Sequence, residues 1–203
     1  MHKSVTTFIL IALISLPATA FAEMALVPQS GQVLCYDAAG VDIPCAGTGQ
    51  DGDQQMGVPG PNPRFTDNGN GTVTDNLTGL IWLKNASCLG QRQWTAALSS
   101  ANTLANGACG LTDGSIASDW RLPNKEELES LINRQQSNPA AWLNTVGFSG
   151  VNTSTTGSYY EGYWTSSSSS TDYAWYVSFG IGKTNYPYYK GYNIYAWPVR
   201  GGQ

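Results

Sequence analysis

Four cysteines, Cys35, Cys45, Cys88 and Cys109, limit most strongly what this chain can fold into. Their redox state follows from the start of the chain. Lys3 supplies a basic start, Phe8 to Leu16 is apolar apart from Ser15, Pro17 breaks the run, and Ala20-Phe21-Ala22 forms a small-x-small cleavage site. This pattern is that of a secretory leader at residues 1–22, cut before Glu23. An even cysteine count in an exported chain favours two disulfides over thiols or metal. Four cysteines allow three connectivities. The shortest loops arise from pairing Cys35 with Cys45 and Cys88 with Cys109, which is the expected arrangement. Each bridge would contribute about 3 kcal/mol in the chain-entropy view.

The leader also decides which chemistry survives maturation. The only histidine, His2, lies within it. A chain starting at Glu23 therefore has no imidazole for a Ser-His-Asp or Cys-His arrangement, and none to ligate zinc or iron. No catalytic residue, metal ligand or cofactor is expected. With Lys3 gone, nine of the ten Lys and Arg remain against 14 Asp and Glu, a net charge of −5. Such an acidic chain, in that compartment, is not expected to bind nucleic acid. The leader core is too short to span a bilayer, and no later apolar stretch reaches the needed length.

The organisation that follows is β-rich. Residues 23–63 read as a short disulfide loop and then a linker, because residues 46–63 hold five Gly and three Pro. The main domain is expected at 64–203. Phe65-Thr66-Asp67 and Thr72-Val73-Thr74-Asp75 flank Asn68-Gly69-Asn70-Gly71, a hairpin whose turn residues tolerate positive φ. Leu80 to Leu83 reads as a buried strand. Trp94, Ala97, Leu98, Ala101 and Leu104 recur at helical spacing and predict a helix over 93–105. A second helix should start at Asn124, with Glu127 completing a capping box and Leu128, Leu131 and Ile132 facing the core. Alternation at 174–179 predicts a half-buried strand, Ser166 to Ser170 an exposed loop, and Tyr192 to Arg200 a closing strand with Pro198 at an edge. Trp82, Trp120, Trp164, Trp175 and Trp197 are expected as core filler, and Arg121 and Arg200 as partners for acids such as Asp119 or Glu127.

Ten of the eleven tyrosines lie between Tyr159 and Tyr195. Within 185–193 they fall on both strand parities, so they cannot all enter one core. Tyr with Ser, Gly and Asn is the composition of antibody-like binding surfaces, where tyrosine gives rigid contact area at low entropy cost. Tyrosine also presents an apolar face beside a polar tip, as suits a sugar ring. The expected ligand-binding residues are Asn185, Tyr186, Tyr188, Tyr189, Lys190, Tyr192, Asn193 and Tyr195.

Several ordered motifs carry a resemblance to a known family. They are Phe65-Thr66-Asp67-Asn68-Gly69 with Gly71 to Asp75, Thr78-Gly79-Leu80-Ile81-Trp82, and Trp120-Arg121-Leu122-Pro123-Asn124 with Glu127-Leu128. Tyr163 to Ser167, Ala174 to Val177 and Pro198-Val199-Arg200-Gly201-Gly202 complete the set. Over residues 64–202 the chain resembles the C-terminal domain of the Legionella collagen-like protein. The resemblance implies an α+β, C-type-lectin-like fold, with two helices packed on a small twisted antiparallel sheet and disulfides as staples. It implies an exported, non-catalytic adhesion or recognition domain in the periplasm, at the cell surface or in the medium. Its ligand would be a glycan or a surface protein, met through the C-terminal face. The family's named member binds sulfated polysaccharides and trimerises, so a homo-trimer or homo-dimer is a further expectation, although this chain is acidic and has no collagen-like tract. The Leu-Pro and Arg-Gly-Gly phrases also resemble the formylglycine-generating enzymes, which would require a reactive thiol. A structural module that oligomerises through the tyrosine-rich face is the remaining alternative.

Overall fold

The computed structural model of the protein describes residues 27–184 and 186–201. The leader expected at residues 1–22 lies outside the described residues, as does Asn185. Both disulfides form as the shortest loops require: Cys35–Cys45 with Cα atoms 5.1 Å apart, and Cys88–Cys109 at 5.7 Å. The first staples the hairpin of β1 (Cys35–Tyr36) and β2 (Asp42–Ile43). A single helical turn, α1 (Asp51–Gln54), lies inside the segment read as linker, and its buried Gly52 packs on both sulfurs of that bridge. The hairpin also meets the rest of the chain, since the Gln135 side-chain oxygen accepts from the amides of Val33 and Leu34 at 2.7 and 2.8 Å.

The opening hairpin forms as expected: β3 (Phe65–Asp67) pairs with β4 (Thr72–Asp75), and β4 pairs with β5 (Ile81–Leu83). Gly71 closes the turn at φ +85°, and a Cβ there would come within 2.4 Å of the Gly110 carbonyl oxygen, so both conformation and space require glycine. Arg64, just before β3, donates to Asp75 at 3.0 and 3.2 Å and to the Ser130 carbonyl at 2.7 Å.

Helix α2 (Trp94–Asn102) is shorter than the 93–105 expected, ending three residues before Ala105. Helix α3 (Lys125–Ser130) carries the full capping box: Asn124 Oδ1 accepts from the Glu127 amide at 2.8 Å, and Glu127 accepts from the Asn124 amide at 2.7 Å. A further helix, α4 (Pro139–Leu143), starts under the Asn138 side chain, which accepts from the Ala141 amide. The expectation of two helices on one antiparallel sheet is therefore corrected to four short helices and three sheets among the described residues.

The largest sheet holds β6 (Gln91–Arg92), β7 (Tyr163–Ser168), β8 (Tyr173–Ser178), β9 (Lys183–Thr184), β10 (Tyr188–Tyr189) and β11 (Ile194–Tyr195). All its pairings are antiparallel except β11 with β7. Strand β7 runs on to Ser168 through a register shift, so the exposed loop starts later than Ser166. Strand β8 is not half-buried. Val177 and Phe179 enter one core with α3 and α4, while Ala174 and Tyr176 enter a second core with Ala97 and Ala101 of α2. Helices cover both faces of this sheet, so both parities of β8 are buried.

The single closing strand expected at 192–200 is likewise two strands. β11 belongs to the large sheet, whereas β12 (Val199–Arg200) pairs with β5 at an edge of the smaller one. Pro198, which cannot donate to a ladder, sits at the crossing. Trp197 fills the space between the sheets. Its ring lies 5.2–5.6 Å from those of Phe148, Trp82, Tyr163 and Phe179, and its Nε1 donates to the Leu83 carbonyl at 2.8 Å. Trp82, Trp120 and Trp164 are buried as expected; Trp175 is only partly so, with the Lys125 ammonium 5.3 Å over its ring.

Candidate ligand-binding surface

Strands β9 and β10 lie on the same side of β8, at its two ends. Thr184 faces Val177 while Tyr188 faces Ala174, so the register slips by one residue between them. Between the two strands Tyr186 stands in solvent at 90% exposure. Strand β10 then places Tyr188 and Tyr189 on the sheet edge.

There the tyrosines meet others from distant parts of the chain. Tyr160 packs on Tyr159 with ring centroids 3.9 Å apart, and Tyr159 stacks on Tyr188 at 4.0 Å and 24°. Tyr188 touches Tyr192 at 5.1 Å, Tyr192 touches Tyr189 at 5.8 Å, and Tyr189 meets Tyr173 edge-on at 6.2 Å. These six rings form an unbroken ladder across the edge of the large sheet. Its inner members, Tyr159 and Tyr188, rest on the second core, while Tyr160, Tyr173, Tyr189 and Tyr192 are 40–49% exposed. Crowding by the neighbouring rings, with the Tyr160 hydroxyl and the phenols of Tyr188 and Tyr192, pushes the Tyr159 phenol above its ordinary range.

A cavity of about 360 Å³ opens on the ladder, lined by Tyr173, Pro187, Tyr188, Tyr189 and Tyr192. Among the described residues no charged side chain lines it. Gly191 makes room for it: a Cβ there would come 2.5 Å from the Tyr189 ring. The phenol oxygens of Tyr173, Tyr189 and Tyr192 make no hydrogen bond to the protein among the described residues. A larger cavity, about 580 Å³, lies far along the chain between Pro61–Phe65 and Trp142–Val146. Its charged groups are already engaged, Arg64 by Asp75 and Asp67 by Lys84, so it offers an apolar trough whose lining carries no open charge.

Of the residues expected from sequence, Tyr188, Tyr189 and Tyr192 come together in the ladder. Tyr186 and Asn193 are exposed beside it, and Tyr186 has no ring neighbour among the described residues. Tyr195 turns inward, its ring 5.5 Å from that of the buried Tyr163. Lys190 is engaged elsewhere. Its ammonium donates to Ser168 Oγ at 2.7 Å and to the carbonyls of Ser170 and Thr171 at 2.9 and 3.0 Å, and it lies 4.3 Å over the Trp94 ring. All three of its protons are taken. Its carbonyl accepts from the Trp94 amide, one of the unpaired donors at the start of α2. Lys190 is therefore a latch joining the β7–β8 loop, the β10 turn and α2.

Sequence reasoning passed over Tyr159, Tyr160 and Tyr173. All three belong to the tyrosine-rich stretch, but only the pairing of β10 with β8 and the 3₁₀ turn at Tyr159–Glu161 bring them to it.

The model of the Lcl C-terminal domain family matches residues 71–200, a stretch that contains the whole ladder. No curated protein matches the chain.

Proposed function

We propose, from the premise that the chain belongs to the Lcl C-terminal domain family, that it is an exported, non-catalytic recognition module holding its ligand on the tyrosine ladder. The carrying observation is the ladder itself: six tyrosine rings in contact, four of them open to solvent, on a rigid sheet edge. Rings that served only as core filler would be buried like Tyr163, whose hydroxyl donates inward to the Gly150 carbonyl and accepts from the Asn152 amide. Two disulfides support an oxidising destination, at the cell surface or in the periplasm. Mixed helices on antiparallel sheets, stapled by disulfides, support a C-type-lectin-like scaffold. The thiol chemistry of formylglycine-generating enzymes finds no support, because both cysteine pairs are bonded.

The test uses the chain from Glu23 to Gln203 on combined glycan and protein arrays, with Tyr189→Ala/Tyr192→Ala beside it. Both rings are about half exposed, so the variant should melt within a few degrees of the parent while losing array binding about tenfold or more. Array hits that survive the double substitution unchanged would remove the ladder as the ligand surface.

A further inference from the structure

We propose that the ladder takes an uncharged glycan chain and discriminates against polyanionic sugars; this rests on the reading of the ladder as the ligand surface. Four observations lead there. The cavity of about 360 Å³ falls in the range of roughly 300–1,000 Å³ typical of small-ligand sites, whereas a protein epitope is usually met on a flatter, wider surface. Its lining is four tyrosines and a proline, which offer apolar ring faces to the C–H face of a pyranose. The phenols of Tyr173, Tyr189 and Tyr192, without protein partners among the described residues, can donate to and accept from sugar hydroxyls. The ladder also continues beyond the cavity through the inner rings of Tyr188 and Tyr159 to Tyr160, whose exposed ring offers a second contact to a linear chain.

Charge then separates neutral from sulfated or carboxylated chains. An anionic glycan needs open cations with free donors. Lys190 is the cation nearest the lining in sequence, and its three donors are spent on Ser168, Ser170 and Thr171. Arg92, on β6, donates its Nε to the Leu89 carbonyl at 2.6 Å and is not among the residues lining the cavity. Lys183 pairs opposite Ser178, at the end of β8 away from Tyr173. The exposed Asp172 directly precedes Tyr173 and adds negative charge. A sulfate in the cavity would lose its hydration without meeting a cation among the lining residues, a net cost.

The test is calorimetric titration of the chain from Glu23 to Gln203 with the hexaoses of cellulose, chitin, mannan and starch, and with a heparin hexasaccharide, at about 50 and about 500 mM NaCl. At least one neutral hexaose should bind, with affinity changing less than about twofold between the two salt levels. Tyr189→Ala should weaken that binding about tenfold, and Tyr192→Phe, which keeps the ring and removes the hydroxyl, about threefold. Salt-sensitive binding of heparin alone, lost in Tyr189→Ala, would overturn the neutral assignment while leaving the ladder as the ligand surface. Neutral binding indifferent to Tyr189→Ala would overturn both. Absence of binding by every neutral hexaose at millimolar concentration would overturn the neutral assignment.

Discussion

Replacing Lys190 by Met isolates the latch from the ladder it supports. Methionine keeps an apolar stem to lie on Trp94 but removes the ammonium. Three hydrogen bonds of 2.7–3.0 Å and a ring contact at 4.3 Å disappear together. Bonds from a charged donor contribute about 1.5–3 kcal/mol each when well shielded. Lys190 is only half-buried, and water can replace part of what is lost, so about 2 kcal/mol for the three is the realistic scale. The cation over Trp94 adds about 0.5 kcal/mol. For a domain of this length that corresponds to a drop of roughly 5–10 °C in melting temperature. The assay is scanning calorimetry combined with amide exchange. Exchange should accelerate across 168–173 and 188–192, the two segments the ammonium joins, and leave the Trp197 core protected. Lys190→Arg should recover only part of the loss, because a planar guanidinium cannot reproduce three donors converging from one nitrogen. A melting temperature within about 1 °C of the parent, with unchanged exchange in both segments, would refute the latch.

Two further outcomes follow from the electrostatics and the staples. Burial works to raise the Glu127 carboxyl, but hydrogen bonds from Arg121 and the Asn124 amide outweigh it and hold the group below its ordinary range; Lys84 and the Gly69 amide do the same for Asp67. A carboxyl lowered in the folded state stabilises fully above its unfolded value, about 4.5 for Glu127 and about 3.8 for Asp67, and loses that contribution as pH falls through the folded value. Melting temperature should therefore hold between pH 5 and 8 and fall below about pH 4.5, and Glu127→Gln should make that acid limb shallower; superimposable limbs would count against the pair. Replacing Cys88 and Cys109 together by Ser opens a loop of sequence separation 21 and should cost about 3 kcal/mol in urea unfolding, with a loss under about 0.5 kcal/mol speaking against a staple.

What could be read from the sequence was what neighbouring residues decide among themselves. The Asn-Gly turn after β3, the capping box of α3 and the apolar stripe of α2 each need only a few adjacent positions, and each is present. Helix α4 carried a local signal too, Asn138 before Pro139 at the first helical position, which was passed over. The misread strands failed for a different reason. Alternation in β8 suggests one wet face only if nothing covers it, and α2 arrives to cover it from some 70 residues upstream. The tyrosine face obeys the same rule. Parity showed that the rings at 186–192 could not share one core, which is a local deduction and holds. Which of them would meet solvent depended on β10 pairing with β8 and on the 3₁₀ turn delivering Tyr159 and Tyr160 to Tyr188. The engagement of Lys190, expected as a ligand contact, was not legible because its partners, Ser168, Ser170 and Thr171, lie across a strand pair that local reading leaves open. The proposed preference for uncharged ligands depends on that contact: a lysine with free donors among tyrosines would attract anions, whereas this one spends its donors on the β7–β8 loop, a long-range pairing that composition does not reveal.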